Sequence, residues 1–134
     1  MIIESRKITV IRINKPIEKD INKELQWLGN SLGLFSIRDR DKSCYRIFLE
    51  LLKSARVGRT MSSDEIAEKL NLTRGTVVHH INKLMEAGIV VHQKQGYMLR
   101  VDNLARLIEE LQRDLHGMCK SLREVAVEID SMLG

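Results

Sequence analysis

Arg74, His79, Asn82 and Lys83, followed by His92, Lys94, Gln95 and Arg100, are the side chains of this chain best suited to recognition chemistry. A guanidinium can bond two acceptors of a guanine edge at once, a carboxamide can do the same with adenine, and an ammonium neutralises a phosphate. Thr73 and Thr76 add hydroxyls, Val78 an apolar surface able to meet a thymine methyl, and Gly75 a point of close backbone approach. Such groups act together only if a rigid element presents them on one side.

The surrounding residues supply that element. Ser62-Ser63-Asp64-Glu65 has the spacing of a capping box, so a helix is expected from about Ser63, with Ile66, Ala67 and Leu70 as its apolar stripe. Asn71 is a suitable exit residue and Leu72 packs under the turn. Thr73 then caps a second helix, in which Val77, Ile81 and Leu84 recur at core spacing and Gly88 supplies the stop. With those three facing inward, Arg74, Gly75, Val78, His79, Asn82 and Glu86 fall on or near the outer face. On an isolated helix such a face is usually only solvated. Here a turn precedes it and a hairpin follows.

The hairpin is read from Ile89 to Gln93 and Tyr97 to Val101, with Lys94-Gln95-Gly96 as its loop. Tyr97, Leu99 and Val101 alternate toward one side. That leaves Arg100 on the other, with Lys94 at the tip, where basic groups usually meet phosphates or the minor groove. Upstream, Ser43 to Ser54 reads as a helix with Tyr45, Phe48, Leu49, Leu51 and Leu52 on a broad buried face, entered after Asp39-Arg40-Asp41. Lys53, Arg56 and Arg59 surround Gly58 in a loop able to touch backbone phosphate, although a solvated turn is at least as good a reading. A short strand is expected at Thr60-Met61. The fold class expected is mainly α: a winged helix-turn-helix domain with a two- or three-stranded wing sheet.

The run Thr73-Arg74-Gly75-Thr76-Val77-Val78-His79-His80-Ile81-Asn82-Lys83-Leu84-Met85-Glu86-Ala87-Gly88-Ile89-Val90 resembles the recognition helix of the ArsR-type winged-helix repressors, whose pattern is Ser-x-x-Thr-Val-Ser-His-His-Leu-x-x-Leu-x-x-Ala-Gly-Leu-Val. The resemblance extends over roughly residues 43 to 101. It implies a DNA-binding regulator in which Arg74, Gly75, Val78, His79 and Asn82 contact DNA. Val78 stands where that family often has Ser, so sequence preference does not carry over.

Metal sensing is not part of the reading. Cys44 and Cys119 are the two cysteines, far apart in sequence, and adjacent His79 and His80 diverge by about 100 degrees on a helix. His116 and Cys119, three apart, would need a second chain to complete a site. No metal and no cofactor is expected. Nor is an enzyme, because there is no glycine-rich phosphate loop and no nucleophile paired with a base. Two cysteines make no disulfide framework, and no apolar run approaches a membrane span, so the cytoplasm is the expected compartment. The net charge of +4 is unevenly spread: residues 73–101 hold four Lys or Arg against one Glu, whereas residues 102–134 hold four against seven acidic groups.

The acidic tail carries the second pattern. After Asp102 as cap, Val101, Leu104, Ile108, Leu111, Leu115, Met118, Leu122, Val125, Ile129 and Met132 alternate spacings of three and four, the signature of a coiled-coil seam. Homodimerisation through this helix is expected, although part of it could lie on its own domain. In the N-terminal region, Ile8 to Ile13 reads as a strand, and Pro16 as a helix start followed by Ile17, Ile21, Leu25, Leu28 and Leu32. That helix is expected to pack beside the C-terminal one and help build the dimer interface. Trp27 and Met118 could line an effector pocket, though an ordinary apolar interface is the plainer reading.

The expected organisation is a strand and helix extension over 1–40, the DNA-binding domain over 41–101, and a dimerisation helix over 102–134. The expected partners are a second copy and double-stranded DNA with a palindromic operator, and not a membrane; any small-molecule effector is unknown. A winged helix used for protein contact, or a sequence-tolerant chromatin protein, are the alternatives.

Overall fold

The computed structural model describes residues 6–35 and 42–134. Their elements are α1 (Ile21–Ser31), α2 (Ser43–Arg56), α3 (Ser63–Leu70), α4 (Arg74–Glu86), β1 (Val90–Gln93), β2 (Gly96–Leu99) and α5 (Leu104–Leu133). This is a winged helix-turn-helix with a long C-terminal helix. Asp39, Arg40 and Asp41 lie outside the described residues.

The core is built on α2. Cys44, Ile47, Phe48, Leu51 and Ala55 are buried along it, whereas Leu49 and Leu52 sit at the margin. Against this face pack Ile66 and Ala67 of α3, Val77, Ile81 and Leu84 of α4, and Ile89, Val90 and Leu99 of the wing. Each of the Val, Leu, Ile and Phe side chains among them contributes roughly 1.5–3 kcal/mol when fully withdrawn from water. At α3 both halves of the capping box form: the Glu65 amide donates to Ser62 Oγ at 3.1 Å, and the Ser62 amide to Glu65 Oε1 at 3.2 Å. Asn71 takes the left-handed conformation (φ 55°) that ends α3.

β1 and β2 pair antiparallel, Val90 with Leu99 through Gln93 with Gly96. Met61 adds a single-residue third rung: its amide donates to the Tyr97 carbonyl at 3.0 Å and the Tyr97 amide to its carbonyl at 2.7 Å. The role expected of Gly96 is corrected here. The left-handed residue of the turn is Lys94 (φ 56°), and Gly96 belongs to β2, where a Cβ would press on the Thr60 side chain and the Met61 carbonyl oxygen.

The N-terminal expectation is also revised. Residues 8–13 form no strand; the segment is held by isolated bonds, from the Lys7 amide to the Glu86 carbonyl (3.1 Å) and the Ile11 amide to the Ser31 carbonyl (2.7 Å). Helix α1 starts at Ile21 under an Asp20 cap, not at Pro16, because the Asp20 carboxylate accepts from the Asn22 amide at 2.8 Å. Ile17 is fully exposed. Tyr45 fastens α1 to α2, donating its hydroxyl to Asn22 Oδ1 at 3.0 Å and standing edge-on to Phe35.

Helix α5 is capped by Asn103, whose Oδ1 accepts from the Arg106 amide at 2.9 Å; Asp102 instead pairs with Arg106 at 3.2 Å. Its first turns belong to the domain's own core. Leu107, off the expected seam, is fully buried, Leu111 nearly so, and Leu104 and Ile108 are half-buried against the same cluster. From Leu115 onward every residue is exposed. Among the described residues Trp27 and Met118 line different grooves. Trp27 lines a groove with Pro16, Ile21, Leu28 and Leu104, whereas Met118 lies along α5 with Gly117, Leu122 and Val125.

Candidate nucleic-acid interface

Helix α4 holds the first group of site residues. Thr73 caps it twice, accepting the Thr76 amide at 3.1 Å and bonding the Thr76 hydroxyl at 2.8 Å. Its far end closes over Gly88 (φ 78°), where the Ile89 amide reaches back to the Leu84 carbonyl at 3.0 Å and Ile89 is buried beneath. Between these two stops, Val77, Ile81 and Leu84 anchor the inner face. The inner face is thereby committed to the core, and the outer face is left toward solvent.

Arg74, Gly75, His79, Asn82 and Lys83 are exposed on that face together with Thr73, whereas Thr76 and Val78 are half-buried at its edge. The space at Gly75 is open: a Cβ added there would meet no atom within 4 Å. Arg74 lies 3.4 Å from Asp64 at the start of α3, in an ion pair whose side chains are both largely in water. His79 stands edge-on to His80, with ring centroids 5.3 Å apart. The amides of the α4 N-terminus and the Arg74 charge give this end the character of an anion site.

The wing supplies the second group. His92 stacks obliquely on its cross-strand partner Tyr97 at 4.9 Å and is exposed, as are Lys94 and Gln95 at the turn. With Thr60, Ser62 and Glu65 the turn residues line an open cleft of about 740 Å³ between the hairpin tip and the start of α3. The Glu65 carboxyl is held below its ordinary pKa, first by the Ser62 amide and then by the Ser62 hydroxyl and Arg59. Arg59 is thereby engaged at 3.1 Å.

Arg100 departs from its expected place. It does not project beside the tip, because its guanidinium turns to α5 and meets Asp114 through both terminal nitrogens (2.5 and 3.3 Å) and Glu110 through Nε (3.1 Å). The side chain keeps about a fifth of its exposure. The Asp114 hydrogen bond raises the Arg100 pKa and lowers that of Asp114 in return. Three residues the sequence reading did not bring here pair with these candidates: Asp64 with Arg74, and Glu110 and Asp114 with Arg100. Glu110 and Asp114 had a signal, since two carboxylates four apart on a helix repel unless a cation joins them.

Residues 41–93 match the family model of a helix-turn-helix domain. That span runs from just before α2 to the end of β1 and contains every core position of the three-helix unit. The chain carries a helix-turn-helix domain. No curated protein and no solved structure matches it. A domain of this kind supports DNA binding and transcription regulation, and points to a non-enzymatic regulator. No described helix is long and apolar enough to cross a membrane.

Proposed function

We propose that this chain is a sequence-specific regulator that binds double-stranded DNA as a homodimer, with α4 in the major groove and the β1–β2 wing on backbone or minor groove. The observation that carries the reading is the outer face of α4, where Arg74, Gly75, His79, Asn82 and Lys83 stand exposed on a helix locked at both ends. Asn82 suits an adenine and Arg74 a guanine, while Thr73 and Thr76 at the helix start suit a phosphate. His92, Lys94 and Gln95 on the wing add affinity with little sequence discrimination. We further read the regulator as a repressor, on the resemblance of residues 73–90 to the pattern of the ArsR-type repressors.

The dimer reading is supported by α5. Leu122 and Met132 are 69% and 77% exposed, and Leu115, Met118, Val125 and Ile129 continue the same stripe. A helix of this length spans about 45 Å and outruns the domain it starts from. Pairing two such tails buries the stripe and brings two α4 helices to one side of a duplex, about 34 Å apart, which favours a palindromic operator. Selection of bound fragments from random duplexes by the full chain tests the whole reading. An enriched inverted repeat with half-sites one turn apart is the expected result; recovery of unselected sequence would move the protein to the sequence-tolerant class.

A further inference from the structure

The wing is a small structure to hold in register. It has two four-residue strands, and a hairpin of that size is marginal without support from elsewhere. On its outer edge the Met61 rung supports Tyr97. At its base the Arg100 amide donates to the Ile89 carbonyl at 2.9 Å, one step beyond the ladder, and the chain reaches α5 through Val101, Asp102 and Asn103.

Across that short link lies the ion cluster. Asp114, on the third turn of α5, receives both terminal nitrogens of Arg100, and Glu110 one turn earlier receives Nε, so the whole guanidinium fork is used. A bidentate pair of this kind constrains angle as well as distance. The same Asp114 carboxylate lies 3.6 Å from Arg6, whose guanidinium covers Gly88 so closely that a Cβ there would collide with it. The neighbouring Lys7 amide bonds the Glu86 carbonyl at the end of α4. One carboxylate on α5 is therefore tied to the exit of the wing and to the end of the helix before it.

We propose that Asp114 is a positioning residue for DNA binding, which sets the angle between the wing and α4 by clamping Arg100. The proposal rests on the reading of the wing as a DNA contact. It makes α5 a reference frame for the wing as well as the expected site of dimerisation. Arg100 touches no DNA in this arrangement; its charge is spent on orientation.

The test uses the full chain with Asp114→Asn, which keeps shape and removes charge, and Arg100→Lys, which keeps charge and removes the fork. Amide exchange of the β1–β2 ladder should quicken by about tenfold in Asp114→Asn while α2, α3 and α4 keep their protection. Arg100→Lys should give the same pattern at smaller amplitude. On duplex DNA, Asp114→Asn should lose about three- to tenfold in affinity, and adding Lys94→Ala should then cost much less than in the wild-type background. Uniform loss of protection across the domain, or an undiminished Lys94→Ala effect, would overturn the positioning role. If wild-type protein binds no duplex, or ignores Lys94→Ala, the DNA role of the wing falls instead, and exchange alone reports whether the clamp exists.

Discussion

Arg74 Nε lies 3.4 Å from Asp64 Oδ1, so the residue proposed to read a base is already paired with the first turn of the preceding helix. Both side chains are largely in water, and such pairs contribute little to stability. On the proposed reading the cost falls on binding, because Asp64 would have to give up Arg74 and then face the negative backbone. Asp64→Asn should therefore strengthen binding to all duplexes by about two- to threefold at low salt, with the gain shrinking as salt rises. Titrations at two ionic strengths check this; weaker binding would mean that Asp64 orients Arg74 for its contact.

The proposed reading assigns base contacts to Arg74 and Asn82 on α4 and a phosphate contact to Lys94 at the wing turn, and the two assignments predict different behaviour. Arg74→Ala and Asn82→Ala should each cost about 1–3 kcal/mol on the preferred site and relax the preference at one base pair. Lys94→Ala should weaken cognate and random duplexes alike and lower the salt slope by about one. Competition binding with single-base variants of the site separates the two behaviours. Equal loss on every sequence for all three variants would remove the base-reading role from α4.

Acid should uncouple the clamp. The Asp114 carboxyl is held below the ordinary range, first by its hydrogen bond from Arg100 and further by the charges of Arg100, Arg6 and Arg113, against the effect of burial. A group with a depressed folded pKa binds fewer protons folded than unfolded, so its contribution is complete well above its unfolded value of about 3.9 and is lost as pH falls through the lower folded one. Wild type should thus melt above Asp114→Asn at pH 7, and the gap should close below about pH 4. A gap independent of pH would show that the ionised Asp114 carboxylate does not account for the difference.

How far the sequence could be read depended on whether a residue answers to its neighbours in the chain or to distant ones. Ser62 with Glu65, Thr73 with Thr76, and the Val77, Ile81, Leu84 stripe are local patterns, and all formed as expected. Gly96 and Arg100 were misplaced because their reasons are tertiary. Gly96 makes room for Met61 and Thr60, and Arg100 follows two carboxylates on a helix yet to come. The α5 seam shows the same limit. Leu104, Ile108 and Leu111 have the spacing of a dimer stripe, but the helix starts against the core, and Leu107 on the adjoining row is the residue driven fully inside. Periodicity marks an apolar face and is silent about which surface covers it.

That division of α5 gives the sharpest test of the dimer. Leu107 is fully buried in its own domain, whereas Leu122 is 69% exposed. Leu107→Ala should destabilise the fold by about 2–5 kcal/mol whatever the protein concentration. Leu122→Asp should leave the helix-turn-helix domain folded, since it removes no contact within the chain's core, while sedimentation shifts to monomer. The same variant should lose the inverted-repeat preference and retain weak binding to single half-sites, because each α4 still presents Arg74 and Asn82. A Leu122→Asp protein that remains dimeric would move the interface to the other exposed apolar surface, where Val10, Ile11 and Ile13 lie ahead of α1.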